Sequence, residues 1–392
     1  MCVNGARPHP YCGGMTVASL WTLVLATTSI TLGLLWDISW HTAIGRDSFW
    51  SPPHVAVYLG SLLAGGVGLW FVVTTTLESG RLDGGALHIG PLRAPLGAWV
   101  VLWGELTMCM AAGFDNWWHR AYGLDVAILT PAHALLGVGM VSVHVGAILL
   151  VVTAKNRQGA NSARGLERLQ SYLGGVLLFL VATLLMECNF PNHQHSATFY
   201  LISCGTYPFL LVAMARASGN HWPATRIANV YMALTLAMLW TLPIFAAQPR
   251  LGPIFNPVDH MWPGLFPLLL IVPALAMDVA TRFLGRDRAG LLACVLAALF
   301  VAIFPLVQWY FSAFLLSPRA RTPLFAADQW YFSITNEIEG TEIERMGAWR
   351  HRFWRADSDP VNFRAVGYCL ILSALGARAG LSCGNWMNRL RR

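Results

Sequence analysis

The chain has 392 residues, of which 56% are hydrophobic and only 11% charged, whereas an average soluble domain carries about 25% charged residues. Mean hydropathy is +0.52, and apolar runs of about 18 or more residues recur along the length, so composition excludes a soluble enzyme and predicts an all-α, polytopic membrane helical bundle. The net charge of +7 fits basic loops that set membrane topology, and no nucleic-acid partner is expected.

The first apolar run, 15–37, ends in Asp37 and His41 with no small-residue cleavage site after it, and reads as a permanent span rather than a removed signal peptide. Nine strong spans and a weaker tenth are expected at 15–37, 53–77, 95–118, 128–153, 171–189, 196–216, 225–247, 263–282, 289–316 and 363–381. Arg81 and Arg93 separate the second and third spans, and Lys155, Arg157, Arg164 and Arg168 separate the fourth and fifth. Arg216 and Arg226 flank the sixth and seventh, Arg282, Arg286 and Arg288 follow the eighth, and the chain ends in a basic tail. The positive-inside rule puts these residues in the cytoplasm, with both termini inside and an inner (cytoplasmic) membrane as the location. Four organisational units follow: hairpins over 1–155, a second helical half over 156–316, an extracytoplasmic cap over 317–362, and a final helix with its basic tail over 363–392. The eight cysteines are scattered without a Cys-x-x-Cys pair, so no zinc ribbon or thioredoxin motif is available.

The outward loops then hold most of the histidines that lie near a membrane boundary. Residues 35–54 and 113–133 are similar stretches: Asp37, Trp40 and His41 match Asp115, Trp118 and His119, Gly45 and Asp47 match Gly123 and Asp125, and Pro52 and His54 match Pro131 and His133. With their flanking helices, 15–77 and 95–153 read as tandem helical hairpins. Asp37 and His41, like Asp115 and His119, are four apart and share one helix face. Pro52 and Pro131 open the returning helices, which puts His54 and His133 in the first turn. Antiparallel neighbours pack roughly 8–10 Å apart, so each hairpin can bring one carboxylate and two imidazoles to a point. That is a transition-metal ligand set which leaves positions free for water, dioxygen or substrate. The bland alternative makes these residues boundary anchors, caps and carbonyl partners. Recurrence of the same three residue types in two copies favours metal.

Asp-x3-His-x12-His at Asp37, His41 and His54, followed by Asp-x3-His-x13-His at Asp115, His119 and His133, resembles the two intramembrane copper motifs of the C subunit of particulate methane and ammonia monooxygenases. The resemblance covers about residues 30–135. In that family the first site is Asp, His, His and the second Asn, His, His, so Asp115 stands where the family has asparagine. The resemblance implies a copper-dependent membrane monooxygenase that inserts oxygen from O2 into a small or membrane-soluble substrate. It also implies other membrane subunits or self-association, and an electron donor that these residues do not name. Two carboxylates also suit a harder metal such as iron or manganese.

Further polar residues invite weighing. Glu105 and Met108 are expected on one stripe of the third span with Asp115 and His119; Glu105 reads as a proton relay or outer partner of the metal, Met108 as packing or a copper(I) ligand. His144, eleven residues past His133, reads most simply as a satisfied core histidine. Glu187, His193 and His195, with Asp259 and His260, are candidates for a further metal site or decayed hairpins. Two other functions compete with a monooxygenase. A metal transporter or chaperone would use Glu105 and His144 to pass the ion inward. A haem b electron carrier would use His41 and His54 as axial ligands, with no task for the aspartates.

Overall fold

The computed structural model describes residues 16–44, 48–77, 86–122, 130–157, 160–247, 259–264, 266–285, 288–320, 322–325 and 359–390; the side chains of Thr42, His119 and residues 160–163 are outside that description. Ten α-helices occur among these residues: α1 Val17–Ala43, α2 Pro52–Leu77, α3 Leu96–Tyr122, α4 Pro131–Arg157, α5 Ala160–Leu184, α6 Ala197–Ala217, α7 Pro223–Thr241, α8 Ile271–Leu284, α9 Ala289–Leu315 and α10 Phe363–Arg389. A small antiparallel ribbon, β1 Leu87–Ile89 with β2 Leu92–Ala94, joins α2 to α3. Eight of the helices, all but α5 and α8, are long and apolar enough to cross a membrane. The protein is a multi-pass membrane protein of helical-bundle type.

Close approach of backbones sets the packing. On α3 and α4, a Cβ on Gly97 would lie 2.6 Å from the Gly146 carbonyl oxygen, and one on Gly139 would lie 2.9 Å from that of Gly104. Only hydrogen fits at these four positions, so the two helices form an antiparallel small-residue seam. Gly60 on α2 meets Ala26 and Ile30 of α1 in the same way. α4 is the bundle's centre: Gly146–Lys155 are buried all round, as expected of a helix hydrophobic on every side. The other large seam is parallel, with Gly376, Gly380 and Gly384 of α10 lying against Phe209, Ala213 and Arg216 of α6.

The ends of the bundle differ chemically. At one end Lys155 donates to the Ala217 carbonyl and to Gln170, Asn156 donates to Met387 and Leu390, and the Arg282 guanidinium lies over Trp222. The opposite end holds the starts of α2 and α4 and the mouths of both hairpins.

Two expected spans depart from the sequence reading. The span expected at 263–282 is helical only from Ile271. Pro263 and Pro267 lack an amide donor, and Gly264 takes φ +65°, where a side chain is strained. This extended segment survives because buried side chains satisfy it: Leu268 N donates to the Tyr231 hydroxyl and Leu269 N to Gln308 Oε1. The span expected at 171–189 is a helix that begins eleven residues earlier, at Ala160, and ends at Leu184. Its polar first third is tied to the neighbouring turn by Asn220, which donates to the Glu167 carbonyl and to Ser171. Most of the expected cap, residues 326–358, lies outside the described residues, as do Gly45, Asp47, Gly123 and Asp125.

Candidate metal centre

Both hairpin mouths are built alike. Ser51 and Thr130 precede the prolines that open α2 and α4, and their carbonyls accept from Val55 and Ala134. This places His54 and His133 at the third helical position, on the turn that faces the preceding helix. Thr130 also caps His133, whose backbone N–H donates to its hydroxyl at 3.3 Å.

In the first hairpin Asp37, His41 and His54 offer ligand atoms that all lie within 4.8 Å of one another. His54 Nε2 is 3.2 Å from Asp37 Oδ1, and His41 Nε2 is 3.7 Å from Asp37 Oδ2. The second hairpin repeats the key distance, with His133 Nε2 3.2 Å from Asp115 Oδ1. The Oδ1 atom of each aspartate is shut off from solvent. His119 is in place on α3, but its side chain lies outside the described residues.

The ring of His54 is held in one tautomer. Nδ1 sits 3.1 Å from the Ser48 carbonyl oxygen, which can only accept, so Nδ1 carries the proton. In the neutral ring Nε2 then points a lone pair at a carboxylate oxygen. Two lone pairs at that separation repel unless a proton or a cation lies between them. A cation bound by Nε2 and the carboxylate removes the conflict, and an outer partner that fixes the tautomer is what a metal-ligating histidine needs. The donor set therefore fits a transition-metal ion. Aromatic rings wall both mouths: Tyr58 beside His54, with Phe49 and Trp50, and Phe114, Trp117, Trp118 and Tyr122 around the second.

The remaining candidates do not join these sites. Glu105 and Met108 leave the expected common stripe: Glu105 faces α2, where Ser61 donates to its Oε2 and Gly65 makes room for its chain, whereas Met108 packs on Gly139 of α4. Residues three apart on a helix point about 60° apart, which is enough here to send one to α2 and the other to α4. Met108 is packing. Glu105 is buried, and its Oε1 accepts no hydrogen bond among the described residues. His144 is a satisfied core histidine: Nδ1 lies 2.7 Å from the Met140 carbonyl oxygen, and Nε2 lies 2.8 Å from the Thr31 hydroxyl and 3.1 Å from the Thr27 carbonyl oxygen. His193 is buried against Asn192 and Phe190. His195 turns the other way, donating to the Trp309 carbonyl and lying edge-on to its ring. Asp259 pairs with His260 at 2.6 Å in the open. Glu187 lies in a short helical turn after α5, and among the described residues no three of Glu187, His193, His195, Asp259 and His260 bring ligand atoms together, so the expected further site does not assemble there.

Sequence reasoning missed Ser48, Tyr58 and Ser61. The last two were accessible, since they follow His54 at four and seven residues and share its helix face. Ser48 acts through its backbone and left no residue-type signal. No family model matches the chain, and no curated protein or solved structure matches it either.

Proposed function

We propose that α1–α4 are tandem hairpins that carry two metal centres, Asp37/His41/His54 and Asp115/His119/His133, and that the protein is a copper-dependent membrane monooxygenase or a subunit of one. One observation carries this reading: a carboxylate and two imidazoles converge in the first hairpin, and the same 3.2 Å carboxylate–imidazole contact recurs in the second. Copper bound there supplies one-electron and dioxygen chemistry to a small or membrane-soluble substrate. The chain's own part is to hold the ion and shape its surroundings. Asp37 neutralises part of the ion's charge, Ser48 fixes the His54 ring, and the aromatic wall keeps water sparse and offers an apolar substrate a surface. Iron or manganese is the alternative metal that the paired carboxylates suit.

Within this reading the basic end of the bundle faces the cytoplasm of the inner membrane, ten segments enter the bilayer, and the metal sites open toward the outer face. An electron donor and further subunits or a second copy complete the system. The internal bonding of His144 argues against a conduit, because both ring nitrogens are already engaged, by Met140 on one side and by Thr31 and Thr27 on the other. Asp37 stands between His41 and His54, where a haem would need an open gap.

Metal analysis of the purified protein after reconstitution with copper, iron or manganese tests the proposal. The expected result is one to two ions per chain, with a nitrogen-coupled Cu(II) paramagnetic spectrum if the metal is copper, and loss of one ion in His54→Ala. A metal-free protein, a haem absorption band, or unchanged metal content in a His54→Ala/His133→Ala variant would overturn it.

A further inference from the structure

Midway along α2 and α3, away from both metal centres, one acid stands without a counter-charge. Ser61 is nine residues past the start of α2 at the hairpin-mouth end, and Glu105 is nine residues past the start of α3 at the opposite end. Each is thus about 14 Å from its helix start, near the centre of a hydrocarbon layer of roughly 30 Å. Glu105 is only 7% exposed. The Ser61 hydroxyl donates to its Oε2, and its Oε1 is shut off from solvent with no hydrogen-bond partner among the described residues. No lysine, arginine or histidine occurs on α2 after His54 or on α3 before His119. On α4, Gly139 and Val143 face Gly104, and His144 turns to Thr31 and Thr27 of α1.

The place is shaped for this side chain. A Cβ on Gly65, one turn past Ser61, would lie 3.4 Å from Glu105 Cγ, and one on Gly66 would meet nothing within 4 Å. The glycine pair opens a notch on α2 that admits the carboxyl from α3. Leu62 and Leu106 flank it on the exposed sides of the two helices. A buried carboxylate with an orphaned oxygen and no cation is costly in hydrocarbon, and a proton removes the charge. The two ways out of the notch differ. Toward the basic end, residues 66–73 of α2 and 96–104 of α3 carry no hydroxyl, acid or side-chain amide. Toward the hairpin mouth, the face of α2 that holds Ser61 continues through Tyr58 to His54, whose rings lie 5.9 Å apart. On α3 itself the Cys109 thiol follows Glu105 by one turn.

We propose that Glu105 and Ser61 form a proton-binding site at the membrane midplane, which exchanges its proton with the hairpin-mouth side along the Tyr58 face of α2. The exchange breaks the O–H bond of the carboxyl and forms one on water at the mouth, and the carboxylate lasts until a proton returns. The site itself does not rest on the metal reading; only its use does, since in the proposed oxygenase it holds a proton in reserve for dioxygen reduction at the first hairpin.

Metal-free protein in liposomes tests this, so the outcome is separate from that of metal analysis. Dicyclohexylcarbodiimide partitions into lipid and adds across its C=N bond to a protonated carboxyl. It should modify Glu105, read as a mass gain on the peptide that contains it. In the infrared, wild type should show the carbonyl stretch of a protonated carboxyl, lost in Glu105→Gln, which keeps the shape and an acceptor for Ser61. That band should move to lower frequency in D2O, and more slowly in Tyr58→Phe. Absence of both adduct and band would overturn the site. A band that never moves in D2O would make the Ser61–Glu105 bond a fixed clamp between α2 and α3 and overturn the exchange. An equal rate in wild type and Tyr58→Phe would overturn the route.

Discussion

The mouths of the two N-terminal hairpins and the buried turn between α5 and α6 look alike in sequence, each rich in histidine, carboxamide or acid beside a membrane span. They differ in what their polar atoms do. Around 189–196 the polar atoms bond to one another and to the backbone: Gln308 Nε2 to Gln194 Oε1, Gln194 Nε2 to the Asn189 carbonyl, Asn189 Nδ2 to the Tyr207 hydroxyl, Ser312 to the Pro191 carbonyl. That network lets non-helical chain lie inside the bundle. In the hairpins two side-chain acceptors meet head-on instead, and the conflict between Asp37 and His54 asks for a proton or an ion. Counting polar residues cannot separate the two regions; tracing each hydrogen bond to its end does.

Removing ligands tests this contrast with the largest effect. Asp37→Ala or His54→Ala should weaken metal binding at the first site by more than the ~10–100-fold that loss of an outer partner costs, read by equilibrium dialysis with metal analysis. Next comes the seam that sets α3 against α4. Gly146→Leu should cost about 3 kcal/mol of stability in detergent and lower metal content at the second site while sparing the first. In the buried network, Gln308→Leu should cost about 2 kcal/mol by stranding Gln194 Oε1 and Leu269 N, with metal content unchanged; denaturant titration alongside metal analysis checks both halves. Smallest of all, His193→Ala and His195→Ala should each shift stability by about 1 kcal/mol or less. If that pair of substitutions emptied a metal site, the contrast between the two regions would collapse.

What could be read without coordinates follows from the same physics. Hydropathy exposed the spans whose whole length is apolar, and the four-residue spacing of Asp37 and His41 with a proline-started partner foretold that Asp37, His41 and His54 come together. It misjudged 263–282, since apolar residues signal burial and not helix; Pro263, Gly264 and Pro267 held the missing information. It also placed Glu105 and Met108 together, because a stripe drawn on one helix ignores that two different helices flank it. The uses of His193 and His195 depended on Trp309 and Asn192, contacts that no residue spacing reveals.

The parallel seam of α6 and α10 has a consequence for biogenesis. Asn388 reaches the Arg216 carbonyl across 172 positions of chain, and α10 also contacts α4 and α9. During synthesis the grooved side of α6 is therefore left bare in the bilayer until the last helix arrives to fill it. Until then that side of the unfinished bundle is incompletely packed, the kind of intermediate from which misassembly starts.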